Sequence, residues 1–212
     1  MYGALSAETF AKKLAFSMLP CVAFQANAPS TMRFLLPFLL LLSIAQSHAI
    51  TLISANTAGE DWNTGSAWED GAIPSSEADY EVNGATAGNL NSPATTDPTF
   101  TGRSLSITGP NARLVLEHRG VATVNGLSLT NAILVSRLNQ SLDGDGVSIA
   151  GENGILIENS ADLEIRTSLF GIGSIEVLGT DNGDGTSSGG IVLTGARSNH
   201  HVDWILNRAS LR

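Results

Sequence analysis

The sequence predicts an all-β fold, a parallel β-helix (β-solenoid) of about four to five rungs with an N-terminal cap. Residues 102–196 contain a series of short strands with aliphatic residues two positions apart, and Gly, Asn or Asp separates one strand from the next. The strands recur with a period near 20, because Leu105, Leu127 and Val147 are spaced 22 and 20 residues apart. Strands and tight turns repeating at this period are typical of a solenoid, in which each rung stacks on the one before it.

Residues 1–31 precede a targeting pattern that is complete without them. The segment carries Lys12 and Lys13 and a weakly apolar stretch, 14–24. Two interpretations are open: a misassigned start codon, with Met32 as the true first residue, or an extended positively charged leader.

Residues 32–49 are typical of a secretory signal peptide. Arg33 supplies the positive start, 34–42 forms the apolar core, and small residues precede a cleavage site predicted between Ala49 and Ile50. The apolar run is too short to cross a bilayer whose hydrocarbon core is ~30 Å thick. The sequence therefore predicts a secreted or cell-surface chain with no stable membrane span after cleavage; the alternative is an uncleaved anchor.

The chain is acidic, and its predicted mature part contains neither cysteine nor lysine. Asp and Glu number 20 against 11 Lys and Arg, which gives a formal net charge of −9. Cys21, Lys12 and Lys13 all precede the predicted cleavage site, so disulfides, thiol chemistry and Schiff-base catalysis are excluded from the mature chain. No nucleic acid partner and no anionic membrane surface is predicted, because both need clustered cations.

Residues 50–101 are rich in turns and are interpreted as an N-terminal cap with an irregular first rung. A solenoid needs such a cap because its first rung would otherwise expose unpaired backbone groups and an open apolar end. Trp62 and Trp68 lie six residues apart in this segment. The pair either closes the end of the core, the interpretation we favour, or stacks on sugar ligands.

The cap also carries a family resemblance. Residues 61–82 (DWNTGSAWEDGAIPSSEADYEV) combine the tryptophan pair with a Gly-x-x-Pro turn and an Asp that precede a strand. With the rungs of 104–136, this pattern resembles secreted bacterial β-helix proteins with autotransporter-associated strand repeats, over about residues 50–195. The resemblance implies a passenger-like region with a surface or adhesive role, in a family of which many members have no assigned activity.

The rungs of 102–196 predict the core directly. Since residues i and i+2 of a strand point to the same side, their aliphatic side chains should face inward and align in ladders along the stack. A second series, Leu114, Ile133, Ile155 and Ile175, has spacings of 19, 22 and 20 residues. The predicted inward pairs are Leu105/Ile107, Leu127/Leu129, Val147/Ile149, Ile155/Ile157, Leu163/Ile165 and Ile175/Val177.

Residues 197–212 show no aliphatic alternation and no cap-like pattern. We interpret them as an irregular tail. Either the chain is the N-terminal part of a longer protein, which we favour, or this tail covers the last rung.

Two acidic corners are candidate calcium sites. They contain Asp143 and Asp145, and Asp181 and Asp184, whose carboxylate oxygens are the ligand type that calcium prefers. Neither corner matches the EF-hand spacing. Both are interpreted as plain turns that use Asp and Gly for their backbone conformations, with calcium as the only candidate cofactor.

Two other patterns resemble catalytic motifs, but each is better explained as an ordinary feature of the protein surface. Residues 185–189 match G-x-S-x-G, but a strand rather than a helix is predicted to follow them, so we assign no nucleophile there. Asp162, Glu164 and Arg166 alternate with aliphatic residues and should face solvent on one strand. Such a set occurs in β-helix polysaccharide lyases and equally on any solvated strand face.

The histidines are interpreted as surface residues. His200 and His201 are adjacent, so on a strand they point to opposite sides and cannot readily share a metal, even with Asp203 nearby. His118 stands alone beside a predicted turn.

These observations predict a secreted structural or adhesive β-helix protein with no assigned catalytic residue. Its partner would be an extracellular polysaccharide or a cell-surface ligand. The alternative is a carbohydrate-active β-helix enzyme, a polysaccharide lyase or hydrolase, and a third possibility is a segment that has no activity alone.

Overall fold

The computed structural model describes residues 48–56, 60–180, 189–195 and 199–212, and the prediction of a parallel β-helix is confirmed. The described strands pair in parallel and stack as a solenoid of about five turns. A 3-10 helix, Gly65–Ala67, lies in the cap segment. The predicted signal peptide lies outside the described residues, except for its last two positions.

The strands line three faces. Face 1 consists of β1 (Ile50–Thr51), β2 (Asp79–Asn83), β4 (Ser104–Thr108), β7 (Leu127–Thr130) and the first halves of β10 (Val147–Ile157), β12 (Leu169–Gly179) and β14 (Asn199–Asn207). Face 2 consists of β3 (Asn89–Asn91), β5 (Arg113–Leu116), β8 (Ile133–Ser136) and the second halves of the same three long strands. Face 3 consists of β6 (Gly120–Thr123), β9 (Gln140–Asp143), β11 (Asp162–Ile165), β13 (Gly190–Leu193) and β15 (Ser210–Leu211).

The predicted inward pairs form the core. Period-2 alternation places each pair on the inner side of its strand, and stacking then aligns the pairs between neighbouring rungs. Burying such a side chain contributes roughly 1.5–3 kcal/mol. All twelve residues are 0–2% exposed: Leu105, Ile107, Leu127, Leu129, Val147, Ile149, Ile155, Ile157, Leu163, Ile165, Ile175 and Val177.

The face 1 register is as predicted, whereas the face 2 register is not. Leu105 pairs with Leu127, and Leu127 with Val147. On face 2 the observed ladder is Leu114, Leu134, Ile155 and Val177, so the predicted alignment is wrong by one residue at Ile133 and by two at Ile175. The shift at Ile133 comes from the corner between faces 1 and 2, which is shorter after β7 than after β4. β10 and β12 keep their register through that corner, so the shift at Ile175 arises elsewhere in the turn that separates them.

One long strand replaces two predicted strands in the rung that contains β10. Residues 146–150 and 154–158 were expected to be separated by a break, but β10 runs through the corner without interruption. Gly151 lies at this corner with φ +70°, where a Cβ atom would stand 2.2 Å from Asn131 Oδ1. Glycine therefore lets the strand bend while both halves keep their neighbours.

The prediction of an irregular tail over 197–212 is wrong for its described part. β14 pairs in parallel with β12, and β15 pairs with β13, so the segment forms a further rung. Val202 and Trp204, two residues apart, are partly buried against the core. A tryptophan replaces an aliphatic residue here, and the adjacent Ile205 and Leu206 obscure the alternation in the sequence.

Aromatic residues close the N-terminal end. Trp62, Trp68, Tyr80 and Phe100 are 0–1% exposed and contact each other with ring centroids 4.9–5.9 Å apart. The Trp68 indole N–H donates to the Trp62 carbonyl at 3.1 Å, and the Trp62 indole N–H to the Thr99 carbonyl at 3.3 Å. Both indole rings are thus buried, which leaves neither one a face for a sugar to stack on.

Candidate functional site

The outer side of face 3 brings the sequence-predicted Asp162, Glu164 and Arg166 together with two hydroxyl side chains from neighbouring rungs. We call Ser141, Asp162, Glu164, Arg166 and Thr194 the face 3 cluster. They come from three successive rungs, since β11 pairs with β9 on one side and with β13 on the other, and Thr194 follows β13 directly. An open groove of about 370 Å³ runs beside the carboxylates of the cluster.

Glu164 is the centre of this cluster, and three donors hold its carboxylate. Ser141 Oγ and Arg166 Nε each donate to Oε2 at 2.7 Å, and Thr194 Oγ1 donates to Oε1 at 2.9 Å. The Ser141 hydrogen bond is the largest cause that lowers the pKa of Glu164 below its ordinary value; Arg166 and Thr194 add to it, and burial opposes it. A carboxylate that three donors hold in its ionised form is a poor proton acceptor at neutral pH.

Asp162 points along the same outer side but has a different partner. Arg212 Nη2 donates to Asp162 Oδ1 at 2.6 Å. Arg212 directly follows β15, two rungs beyond β11. The structure therefore places all three sequence-predicted residues, Asp162, Glu164 and Arg166, at one surface, but joins them as ion pairs along and between rungs.

Of the calcium candidates, Asp143 and Asp145 lie within the described residues, in an ordinary turn. Asp143 Oδ1 accepts the backbone N–H of Gly144 at 2.8 Å, and Asp145 is exposed. Among the described residues, no three His, Cys, Asp or Glu side chains stand close enough to hold a metal ion together. Asp181 and Asp184 lie outside the described residues, as do the first four positions of the 185–189 motif.

His118 is not a surface residue, which corrects the sequence interpretation. Its side chain is fully buried at the corner between faces 2 and 3. Nδ1 lies 3.4 Å from Ser92 Oγ, and Nε2 has no hydrogen-bond partner among the described residues. Burial lowers the pKa of His118 below its ordinary value of 6.5, while the backbone of Ser141, the charge of Asp97 and the backbone of Gly120 oppose the shift.

The signal for a buried His118 was present in the sequence. Leu114, Leu116 and His118 lie two residues apart, so the alternation that buries the leucines continues to the imidazole. Gln140 follows the same rule relative to Leu142. The sequence reasoning missed both residues because it ended each strand at the last aliphatic side chain.

Gln140 extends this buried polar corner to the next rung. Its Nε2 donates to Ser136 Oγ at 2.8 Å and to the Leu116 carbonyl at 3.2 Å, whereas its Oε1 has no partner among the described residues. Because this corner buries polar atoms that lack hydrogen-bond partners, a charge placed there is costly.

His201 and Asp203 lie on the outer side of the last described rung. Both are exposed, and with Glu152 and Ser174 they line an open groove of about 690 Å³ at the corner between faces 1 and 2. The side chain of His200 lies outside the described residues.

No family model, curated protein or solved structure matches this chain. In the part of the chain that the structure describes, we find no helix of sufficient length and apolar character to span a membrane.

Proposed function

We propose that this chain is a secreted structural or adhesive β-helix segment, resembling an autotransporter-type passenger, that does not act as an enzyme. The proposal depends mainly on one observation, the hydrogen bonding of the Glu164 carboxylate. The carboxylate that a lyase or hydrolase would need as base or acid already accepts three hydrogen bonds from its own chain.

The electrostatics of the face 3 cluster support the same conclusion. A catalytic carboxyl group works best when its pKa lies near the operating pH, which usually requires burial without a cationic partner. Glu164 has the opposite environment, because Ser141, Arg166 and Thr194 favour its ionised form. Asp162 is likewise paired with Arg212.

The regular stacking supports a presenting role. Each face holds its outward positions in register from rung to rung, so a partner would meet open rows of side chains rather than one convergent pocket. Solenoids present extended surfaces of this kind to their partners.

A turnover assay separates the two functions. The secreted chain and its Glu164→Gln variant would be incubated with polygalacturonate, alginate and xylan, and unsaturated uronate and new reducing ends would be measured. We expect both proteins to match the buffer control. Cleavage by the native chain that disappears in Glu164→Gln would overturn the non-catalytic proposal and favour a carbohydrate-active enzyme.

An adhesion assay tests the positive half of the proposal. Beads coated with the chain would be passed over glass, polystyrene and polysaccharide films, with beads bearing a globular acidic protein of similar size as control. We expect retention above the control on at least one surface. Equal retention on all of them would contradict an adhesive role, and leave a structural one.

A further inference from the structure

The sequence contains four Asn-Gly pairs, in which the asparagine carboxamide can react with the backbone nitrogen of the glycine that follows it. Three of the pairs begin at Asn83, Asn125 and Asn153 and lie within the described residues, whereas 182–183 lies outside them. Glycine favours this reaction because it has no side chain to hinder the approach of the two groups. The fold holds the three described pairs in different ways.

The pair at Asn83 is held at both reacting groups. The Asn83 Oδ1 accepts the backbone N–H of Ala85 at 3.0 Å. The Gly84 N–H, which would be the nucleophile, donates to the Thr108 carbonyl of the next rung at 3.0 Å. The reaction therefore requires that hydrogen bonds within and between rungs break first.

The pair at Asn153 is held still more firmly, because the asparagine is only 5% exposed. Its Oδ1 accepts the Ala132 N–H at 3.1 Å, and its Nδ2 donates to the Ala150 carbonyl at 3.0 Å. The Gly154 N–H donates to the Ala132 carbonyl at 2.9 Å. Both reacting groups of this pair are thus fixed by the corner between faces 1 and 2.

The pair at Asn125 is the exception. Asn125 and Gly126 form the turn between β6 and β7, at the corner where face 3 leads into face 1. Gly126 is exposed with φ +54°, and Asn125 is partly buried. Among the described residues, neither the Asn125 carboxamide nor the Gly126 N–H has a hydrogen-bond partner. Both reacting groups are therefore available without any loss of native hydrogen bonds.

We propose that Asn125 is a site of spontaneous deamidation in the folded chain. A base from solvent, water or hydroxide, takes the proton of the Gly126 N–H, and the nitrogen attacks Cγ of Asn125. A bond forms between these two atoms, the bond from Cγ to Nδ2 breaks, and ammonia leaves with a proton from solvent. Water then opens the resulting succinimide ring at either carbonyl, which gives aspartate or isoaspartate. No oxidant or reductant is required.

The isoaspartate product is the one that changes the solenoid, because the main chain then passes through the former side-chain methylene and the turn gains one backbone atom. Neighbouring rungs pack closely on this turn. A Cβ atom at Gly126 would stand 3.0 Å from Ser104 Cβ, and a Cβ atom at Gly144 would stand 2.2 Å from the Val124 carbonyl oxygen. Deamidation would therefore displace the stacked corners and weaken the solenoid as the protein ages.

Peptide mapping of the aged chain tests this inference. The chain has no lysine after Lys13, so trypsin cuts after Arg119 and Arg137 and places Asn125 in the peptide 120–137. The other three Asn-Gly pairs fall in three other peptides. The folded chain would be incubated at mildly alkaline pH and digested, and mass spectrometry with fragmentation would measure aspartate and isoaspartate at each asparagine.

We expect Asn125 to convert on the order of tenfold faster than Asn83 and Asn153, a difference of about 1.4 kcal/mol in activation free energy. The same chain unfolded in guanidinium chloride is the matched control, because unfolding releases all the pairs. There the three asparagines should convert at similar rates.

A variant tests the structural consequence. Asn125→Gln keeps the amide, but its reaction would require a larger ring, so this position should not convert. After equal incubation, the native chain should melt at a lower temperature than before, whereas Asn125→Gln should keep its melting temperature.

Two results would overturn the proposal. Asn125 could convert no faster than Asn83 and Asn153 in the folded chain, or its advantage could be the same in the unfolded chain, which would mean that the local sequence rather than the fold decides the rate. An equal loss of melting temperature in Asn125→Gln would overturn the structural consequence. None of these results bears on the turnover and adhesion assays, so the inference and the proposed function can fail separately.

Discussion

The N-terminal cap and the stacked rungs both bury apolar side chains, but they do so in different ways. In the cap, four large aromatic rings meet edge to face in one cluster that occurs once. In the rungs, small sets of aliphatic residues repeat in register, and each rung contacts its two neighbours. The cap is therefore stabilised by one cluster of aromatic rings. The rungs are stabilised by a repeated pattern, in which each aliphatic core residue has a similar residue at the same place in the neighbouring rungs.

This difference predicts where the molecule is most vulnerable. In a solenoid, stability is approximately the sum of the stabilities of its rungs and of the interfaces between them. A defect in the cap exposes the end of the whole stack, while a defect in one rung is shared with its neighbours.

The largest effect is expected for the cap. Trp68→Ala removes a ring that contacts Tyr80 and Phe100 and the N–H that donates to Trp62. We expect a loss of about 3–5 kcal/mol in the free energy of unfolding, measured by urea denaturation. The matched control is Trp204→Ala in the last described rung, where the ring is only partly buried; an equal loss there would contradict a special role for the cap.

A smaller loss is expected for a single ladder position. Leu129→Ala in β7 leaves a cavity between Ile107 and Ile149, and should destabilise the chain by about 2–4 kcal/mol. Thr130→Ala, one residue along the same strand, points outward and should cost less than about 1 kcal/mol. Comparable losses in the two variants would mean that the strand does not alternate between core and solvent as described.

The buried polar corner predicts a pH dependence. His118 has its pKa lowered by burial, so the folded state holds it neutral while the unfolded state binds a proton below pH 6.5. Stability should therefore be fully present above that pH and fall as the pH drops below it, with a slope of at most about 1.4 kcal/mol per pH unit. Thermal melts from pH 7.5 to 5 would measure this slope.

Two variants locate the pH effect. His118→Gln should flatten the slope between pH 7 and 5, although it lowers stability at neutral pH, while the exposed His201→Gln should leave the slope unchanged. The same slope in all three proteins would show that another group binds the proton.

The smallest effect is expected from chelation. Asp143 satisfies the N–H of its own turn, and nothing in the described part of this corner assembles a third acidic ligand beside Asp145. Melting temperatures with EDTA and with added calcium should agree within about 1 °C. A clear rise with calcium would instead indicate a metal site that binds only the folded chain, and Asp181→Asn would then be the first variant to test.

Much of the fold could be predicted because two patterns in the sequence determine it. Alternation with period 2 identifies the inner residues of each strand, and recurrence near 20 residues identifies the rungs. Face 2 was misaligned because corners vary in length, which no alternation reveals. The last rung was missed because Trp204 broke the aliphatic pattern that defined the others.

The candidate site could be predicted only in part. Asp162, Glu164 and Arg166 lie on one strand, so their common outer side follows from local sequence. The partners of Glu164 do not, since Ser141 and Thr194 are 23 and 30 residues away and reach it only through the register between rungs. Those partners decide its chemistry, which is why the sequence alone left catalysis open.

The residue-for-residue register between rungs also limits how such a chain can change during evolution. A single residue inserted within a strand would turn its aliphatic side chains toward solvent. Duplication of one complete turn would instead leave every ladder intact and lengthen the molecule by about 4.8 Å. The length of the solenoid can therefore change by whole turns when a short stretch of coding sequence is copied. The packing of the interior, which makes the protein stable, is preserved.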